Sequence, residues 1–318
     1  MKRREFLAVG SACFILAGRR ARAETARTWR VALVTSGRGD KILELIRTSL
    51  ASKGYEEGKN LTIDLRDAKG RYDLLPGLIS DVISLKPDVI IAEATPAIAA
   101  AQKATSVIPI VMAPATDPIG SGFVKSFAHP GGNITGVANL FGDLTAKTLD
   151  ILRLVFPNAK KIGVLISNNP THTALLAVAK NAAASIGISA EGFTAANPEN
   201  IEAAFAQMKE AKCEVAYILA DPPRPSLPQV ALKYGLPTVF QVNSYVDLGG
   251  LMSYGPNIPS FFIMAAQYVD RILKGAKPAD LPVEQPTKLE FMINLHTAKA
   301  LGVNIPAQVL LMADKVID

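Results

Sequence analysis

The sequence predicts a two-lobed α/β protein in which each lobe is a parallel sheet wound with helices on both faces. Two patterns carry that reading. Short apolar, β-branched runs alternate with longer stretches whose apolar residues recur at helical spacing, and the connections are short. A passage rich in breakers (Gly120, Gly122, Pro130, Gly131, Gly132) then interrupts the alternation, which begins again beyond it. At 318 residues the chain is long enough for two ordinary cores.

Residues 30–35 (RVALVT) read as a strand and 36–40 (SGRGD) as a loop. Ile42, Leu43, Leu45, Ile46 and Leu50 then mark the apolar face of a helix ending near Gly54. A strand over 61–65 leads to a helix over 74–84. A third strand, 88–92, leads to an alanine-rich helix that Thr95 is expected to cap. The fourth strand, 108–113, has the length and composition of a buried parallel strand. Asp117-Pro118 follows it, an aspartate suited to capping and a proline suited to a first turn, so a helix start is expected there.

Beyond the breakers, 144–156 reads as an amphipathic helix, 161–166 (KIGVLI) as a buried strand, and 168–171 (NNPT) as the cap of a helix reaching 186. Strands over 188–193, 214–219 and near 240 follow, with a helix over 200–211. The stretch 249–255 (GGLMSYG) reads as a strand and turn on which the chain crosses back, before a long helix over 260–274. Pro278, Pro282 and Pro286 punctuate a second return to a strand over 288–294, a helix over 296–301 and a final helix from 306. The expected division is an export signal over 1–23, one lobe from 28–125 with 247–280, and the other from 133–246 with 285–318. Several passages between lobes restrict motion to opening and closing.

Nearly half of the residues are apolar and only 19% are charged, the balance of a packed globular chain. The net charge of +6 would invite a nucleic-acid reading. However, Lys2, Arg3, Arg4, Arg19, Arg20 and Arg22 against Glu5 place +5 of it in residues 1–23, leaving +1 for the rest. No nucleic-acid partner is expected. That first segment has a basic start, an apolar run over 6–17, and small residues (Ala21, Ala23) where a signal peptidase needs them. Arg3-Arg4-Glu5-Phe6-Leu7 resembles a twin-arginine signal. The apolar run is too short to span a bilayer stably, with an uncleaved anchor as the alternative. Lipid attachment at Cys13 fits less well, because Gly10 stands where a lipoprotein signal wants leucine. With the signal removed only Cys213 remains, so no intrachain disulfide can form, and it reads as a buried apolar thiol.

In parallel sheets, ligands bind at the carboxyl ends of strands, beside helix N-termini. Three loops there place a short polar residue before proline (Thr95-Pro96, Asp117-Pro118, Asn169-Pro170), and the free N–H groups of such starts suit a carboxylate. The candidate ligand-binding residues are Ser36, Gly37, Arg38, Thr95, Thr116, Asp117, Asn168, Asn169, Thr171, Asp221, Tyr245 and Tyr254. Arg38 could meet an anion, Asp117 or Asp221 an ammonium group, and Tyr245 or Tyr254 an aromatic moiety. The plainer alternative is that these residues merely cap helices and make turns. Catalytic signals are poor. His129, His172 and His296 are scattered and read as surface residues, and no zinc, nucleophile-elbow or phosphate-loop motif is present. No enzyme activity, metal or cofactor is expected.

From about Val31 onward the sequence resembles the ABC-transporter substrate-binding protein family that includes the TrpX-type tryptophan-binding lipoproteins. The marks are Gly54-Tyr55 with Glu57-Gly58-Lys59-Asn60, Ile108-Pro109-Ile110-Val111 with Asp117-Pro118-Ile119-Gly120, and Pro130-Gly131-Gly132-Asn133-Ile134-Thr135-Gly136-Val137. Gly249 to Gly255 and Leu281 to Thr287 complete the set. The resemblance implies a type I periplasmic-binding-protein fold: two Rossmann-like lobes joined by three crossovers, clamping a ligand. It implies a monomeric receptor, exported to the periplasm, that delivers an amino acid or related carboxylate to an ABC permease. A sensor presenting a similar ligand to a signalling receptor is the alternative. The family's cleft positions fall on Thr95, Thr116, Asp117, Asn168, Asn169, Thr171 and Asp221. One departure stands out: 223–228 (PRPSLP) is proline-rich where family members carry a longer helix.

Overall fold

A computed structural model describes residues 27–221 and 224–318, and the export-signal reading lies outside the described residues. Strands β1 (Trp29–Thr35), β2 (Leu61–Asp67), β3 (Val89–Ala92), β4 (Ile110–Ala115) and β5 (Ile134–Ala138) form a parallel sheet in the order β2-β1-β3-β4-β5. Helices α1 (Gly39–Ala51), α2 (Leu75–Ser84) and α3 (Ala94–Ala104) connect the first strands. β3 is buried on both faces, as its unbroken apolar run requires, whereas β2 at the edge alternates.

The second sheet contains β6 (Lys161–Ile166), β7 (Ser189–Thr194), β8 (Val215–Ile218), β9 (Thr238–Phe240), β10 (Met252–Pro256), β11 (Leu289–Asn294) and β12 (Lys315–Ile317). Its order is β12-β11-β10-β9-β8-β6-β7, parallel except where β10 meets β11. Helices α4 (Phe141–Val155), α5 (His172–Ser185), α6 (Ile201–Glu210), α7 (Leu227–Lys233) and α8 (Ser244–Asp247) belong to this lobe. So do α10 (Leu295–Leu301) and α11 (Ala307–Leu310), whereas α9 (Ile258–Leu273) does not. The Asn257 side chain accepts from Ser260 N at 3.2 Å to start α9. Its buried face, including Phe261, Ala265, Val269 and Ile272, packs on α1 and across β3, β4 and β5 of the first lobe.

The boundaries therefore differ from those the sequence suggests. Residues 133–138 were expected in the second lobe, but β5 pairs with β4 in the first sheet. Residues 247–257 were expected in the first lobe, but β10 pairs with β9 and β11 in the second. A strand's apolar pattern says that it is buried without saying which sheet supplies its hydrogen bonds. Likewise the final helix expected from 306 is only the short α11, after which β12 adds to the edge of β11. The chain crosses between lobes at 139–140, at 257 and at 285–288.

The crossings lie beside one another. Asn257 Nδ2 donates to Glu290 Oε1 at 2.9 Å, and Gln285 Nε2 reaches Asn139 O at 3.5 Å. Residues 283–284 also hydrogen-bond along the open edge of the first sheet, Glu284 N to Gly136 O at 3.1 Å and Ala138 N to Glu284 O at 2.9 Å. Gly136 is required at that point. Its φ is +128°, and a Cβ there would come within 2.6 Å of the Met112 backbone. Gly136→Ala should lower stability by roughly 2–4 kcal/mol in urea unfolding, from strain and displacement of two strands. A loss under about 1 kcal/mol would contradict that reading.

Candidate functional site

In the first sheet the chain reverses its winding between β1 and β3; in the second it does so between β6 and β8. Such reversal points leave a crevice at the strand carboxyl ends. The loops at the two reversal points, 36–38 with 93–95 and 167–171 with 219–221, face one another across the gap between lobes. A cavity of about 60 Å³ lies there, lined from the first lobe by Glu93, Ala94, Thr95, Pro114 and Thr116, and from the second by Asn169, Ala220 and Asp221. Asn139 adds a polar group from the crossing, and Phe141, Val242, Ile258, Phe261 and Phe262 make the rest of the wall apolar. It is flanked by an outer hollow of about 290 Å³ bordered by Arg38, Lys41 and Phe262, and by a groove of about 420 Å³ bordered by Thr116, Asp117 and Thr171.

The first-lobe wall is held by its own polar side chains. Thr95 Oγ1 accepts from Thr116 N at 3.1 Å, and Asn139 Nδ2 donates to Thr116 Oγ1 at 2.7 Å. Thr95 does not cap α3. That helix begins at Ala94, whose φ of +66° is uncommon for a residue with a Cβ, a local strain of order 1–2 kcal/mol at the cavity wall. Because Pro96 has no N–H, the free donors at this helix start are the amides of Ala94 and Thr95.

Glu93, from the same loop as Thr95, is absent from the candidate residues that the sequence offers. It is only 6% exposed. Ser36 N donates to its Oε2 at 2.6 Å and Ser36 Oγ to its carbonyl at 3.0 Å. Burial pushes its carboxyl up to about 8, against the lowering effect of the Ser36 amide and with help from Asp67 and Asp221. The signal available in the sequence was an acidic residue directly after the apolar run 89–92.

Asp221 is engaged on both sides. Tyr72 of the first lobe donates its hydroxyl to Oδ1 across the gap, and Arg224 donates to Oδ2 at 2.8 Å from the same lobe. Arg224 is 4% exposed and also donates to Ala195 O at 2.6 Å. Gly70 lies against Pro198 in the same inter-lobe seam. Neither Tyr72 nor Arg224 carries a sequence mark of its role.

The other expected residues separate into four groups. Asn169 reaches the cavity; its Oδ1 accepts from Thr171 N at 3.1 Å and Thr171 Oγ1 at 2.9 Å, leaving the Nδ2 amide to donate. Thr171, Gly37 and Arg38 border the flanking hollows, and Ser36 lies behind Glu93. Asn168 is exposed within the 167–171 loop. Asp117 is also exposed, at the groove: no helix starts there, its φ is +44°, and its Oδ1 accepts from Gly120 N at 2.9 Å to make a turn. Tyr245 and Tyr254 do not line the cavity. Tyr245 is buried in the second lobe, its ring 4.5 Å from Phe240 and its hydroxyl accepting from Arg224 N at 2.9 Å. Tyr254 is partly buried and packs edge-on to Phe291 at the margin of that lobe's core.

His172 is a correction of another kind, being buried where a surface position was expected. Ser167 N donates to its Nδ1 at 2.8 Å, so its proton sits on Nε2, which donates to Ala220 O at 3.1 Å. The neutral ring, its pKa lowered by burial, ties the two second-lobe loops together. His129 and His296 are exposed. Among the described residues no group of three or more His, Cys, Asp or Glu is placed to hold a metal, and no helix is long and apolar enough to cross a membrane. Cys213 is buried and unbonded.

The raised Glu93 carboxyl has a stability consequence. Between its ordinary value of 4.5 and about 8 the folded protein holds a proton that the unfolded chain has released, so this group lowers stability as pH rises through that window. Glu93→Gln should remove that component. The melting temperature of the unliganded protein should fall less from pH 5 to pH 8 in the variant than in the wild type, and parallel profiles would contradict the assignment.

Comparison with known proteins agrees with this architecture. A tyrosine-binding protein of Clostridioides difficile (strain R20291) is 29% identical over 275 residues, covering 82% of this chain and 76% of that protein. A conserved domain protein of Vibrio cholerae O1 biovar El Tor superposes with a TM-score of 0.84 at 30% identity, covering 91% of this chain and all of that one. An ABC domain from Streptococcus pneumoniae, solved in complex with L-Trp, gives 0.83 at 26% identity with the same coverage. The two-lobed arrangement is that of type I periplasmic binding proteins. Residues 31–317 match the family described as ABC transporter substrate binding protein, and the chain belongs to that family.

Proposed function

We propose that this protein is an exported solute receptor of an ABC importer, which closes on an amino acid with a large apolar, preferably aromatic, side chain and presents it to a membrane permease. The observation that carries the reading is the cavity between the lobes, whose walls divide by chemistry. Thr95, Thr116 and Asn169 supply polar groups from both lobes, and Phe141, Ile258, Phe261 and Phe262 supply an apolar bed. A zwitterionic head with an apolar tail fits such a division. The free amides at the start of α3 suit its carboxylate. A tyrosine-binding relative and an L-Trp complex of a structural neighbour support the same ligand class.

At about 60 Å³ the closed cavity has room for a few waters. A ligand must therefore enter an opened form, and contacts from both lobes then favour the shut one. The basic start, apolar run and cleavage residues of 1–23 support export to the periplasm, and the near-neutral remainder supports a small solute over nucleic acid. The receptor acts as a monomer toward its permease, with no cofactor and no catalytic step.

Thermal-shift measurements on the mature chain against L-tryptophan, L-tyrosine, L-phenylalanine, L-leucine and small carboxylates should show at least one aromatic amino acid raising the melting temperature, by mass action on the folded state. Absence of any shift across the amino acids would contradict the reading. Asn169→Ala should shrink the ligand-induced shift while leaving the unliganded melting temperature within a few degrees. Asp117→Ala should leave the shift in place, since its carboxylate serves a turn outside the central cavity.

A further inference from the structure

An amino-acid ligand brings an ammonium group that needs an anion, and two carboxylates border the cavity, Asp221 and Glu93. Asp221 already has its partners. Its oxygens take the Tyr72 hydroxyl from the opposite lobe and the Arg224 guanidinium from its own. Arg224 is buried, and drawing Asp221 toward a ligand would leave that cation without its counter-charge. Glu93 stands differently. Among the described residues no cation pairs with it; its polar neighbours are the amides of Ser36 and Gly37.

The charged groups around Glu93 also call for a cation. Asp67 on β2 faces it from the sheet edge, and Asp67 is itself held by Gly39 N and Lys69 N, both at 2.9 Å. Asp221 faces it from the second lobe, with Tyr72 and Arg224 behind. Arg38 and Lys41 border the outer hollow that Glu93 shares, and neither forms an ion pair with it. A zwitterion would thus have its carboxylate at the amides of α3 and its ammonium group at the side chain just before them.

We propose that Glu93 receives the ammonium group of the bound amino acid, while Asp221 serves closure by joining Tyr72 of one lobe to Arg224 of the other. The assignment rests on the amino-acid reading above. It gives capture a proton count. In the empty cavity the buried Glu93 carboxyl, pushed up to about 8, holds its proton at pH 7. An ammonium group beside it favours the carboxylate, so that proton passes to solvent as the ligand binds. Affinity therefore rises with pH up to about 8 and levels off beyond it.

Isothermal titration of the mature chain at pH 7 with L-tryptophan and L-tyrosine, each in phosphate and in Tris, tests this. The buffer dependence of the heat should report release of most of one proton per ligand bound. Glu93→Gln, which can still accept from Ser36 N, should weaken binding about 100-fold, the scale of a lost charge-assisted hydrogen bond with its desolvated partner, and abolish the release. The des-amino analogues 3-(indol-3-yl)propanoate and 3-(4-hydroxyphenyl)propanoate should bind wild type and variant alike. Wild-type affinity in the variant, or heats independent of buffer in the wild type, would overturn the Glu93 assignment alone. The wild-type proton count decides the matter even if the variant fails to fold. A wild type that binds neither amino acid would overturn the amino-acid reading and this assignment with it.

Discussion

Asp221 lies in the loop just past β8, its side chain largely withdrawn from water, with a carboxylate that one lobe alone does not fully satisfy. Arg224, three residues on, supplies the opposing charge at 2.8 Å, and Tyr72 supplies a hydroxyl from the other lobe. On the proposed opening of the lobes Tyr72 would leave and water would take its place; shutting would enclose the carboxylate again. A buried ion pair is weak evidence for net stability, because desolvation offsets its attraction. Its consequence here is positional. In the placement seen here Tyr72 reaches Asp221, and Thr95, Thr116 and Asn169 line one cavity.

That alignment follows from topology. Each sheet reverses its winding once, and each reversal opens at the carboxyl ends of its strands. Three backbone passages hold the openings face to face and lie close enough to share hydrogen bonds among Asn139, Asn257, Gln285 and Glu290. Adjacent connections of this kind resist twisting and sliding, which leaves rotation about their common line as the soft motion. α9 reinforces the arrangement. It leaves β10 of the second sheet, packs on the first, and brings Phe261 and Phe262 to the cavity wall.

Much of this was legible in the sequence because buried parallel strands are continuous apolar runs and their helices carry 3.6-residue periodicity. The loops 93–96, 167–171 and 220–222 were found for the same reason: strand ends are visible. Sheet membership was not visible, so β5 and β10 were assigned to the wrong lobes. Within the loops, residue type misled where local geometry took over. Asp117 has the look of a helix cap, yet at φ +44° it closes a turn onto Gly120. Tyr245 looks like a stacking platform and instead supports Arg224 from the core. His172 lacked ligand spacing and so read as surface, when its two ring nitrogens bridge backbone groups that no spacing rule encodes. Glu93 was passed over because its environment comes from Ser36, Asp67 and Asp221, distant in sequence and joined only by the fold.

Hinge closure over a solute is tested most directly by small-angle X-ray scattering on the mature chain, with and without a saturating amino acid that raises its melting temperature. A smaller radius of gyration and a narrower distance distribution on ligand addition are predicted, with the liganded curve matching the closed structure described here. Superimposable curves, or expansion on binding, would contradict two lobes that shut around their ligand.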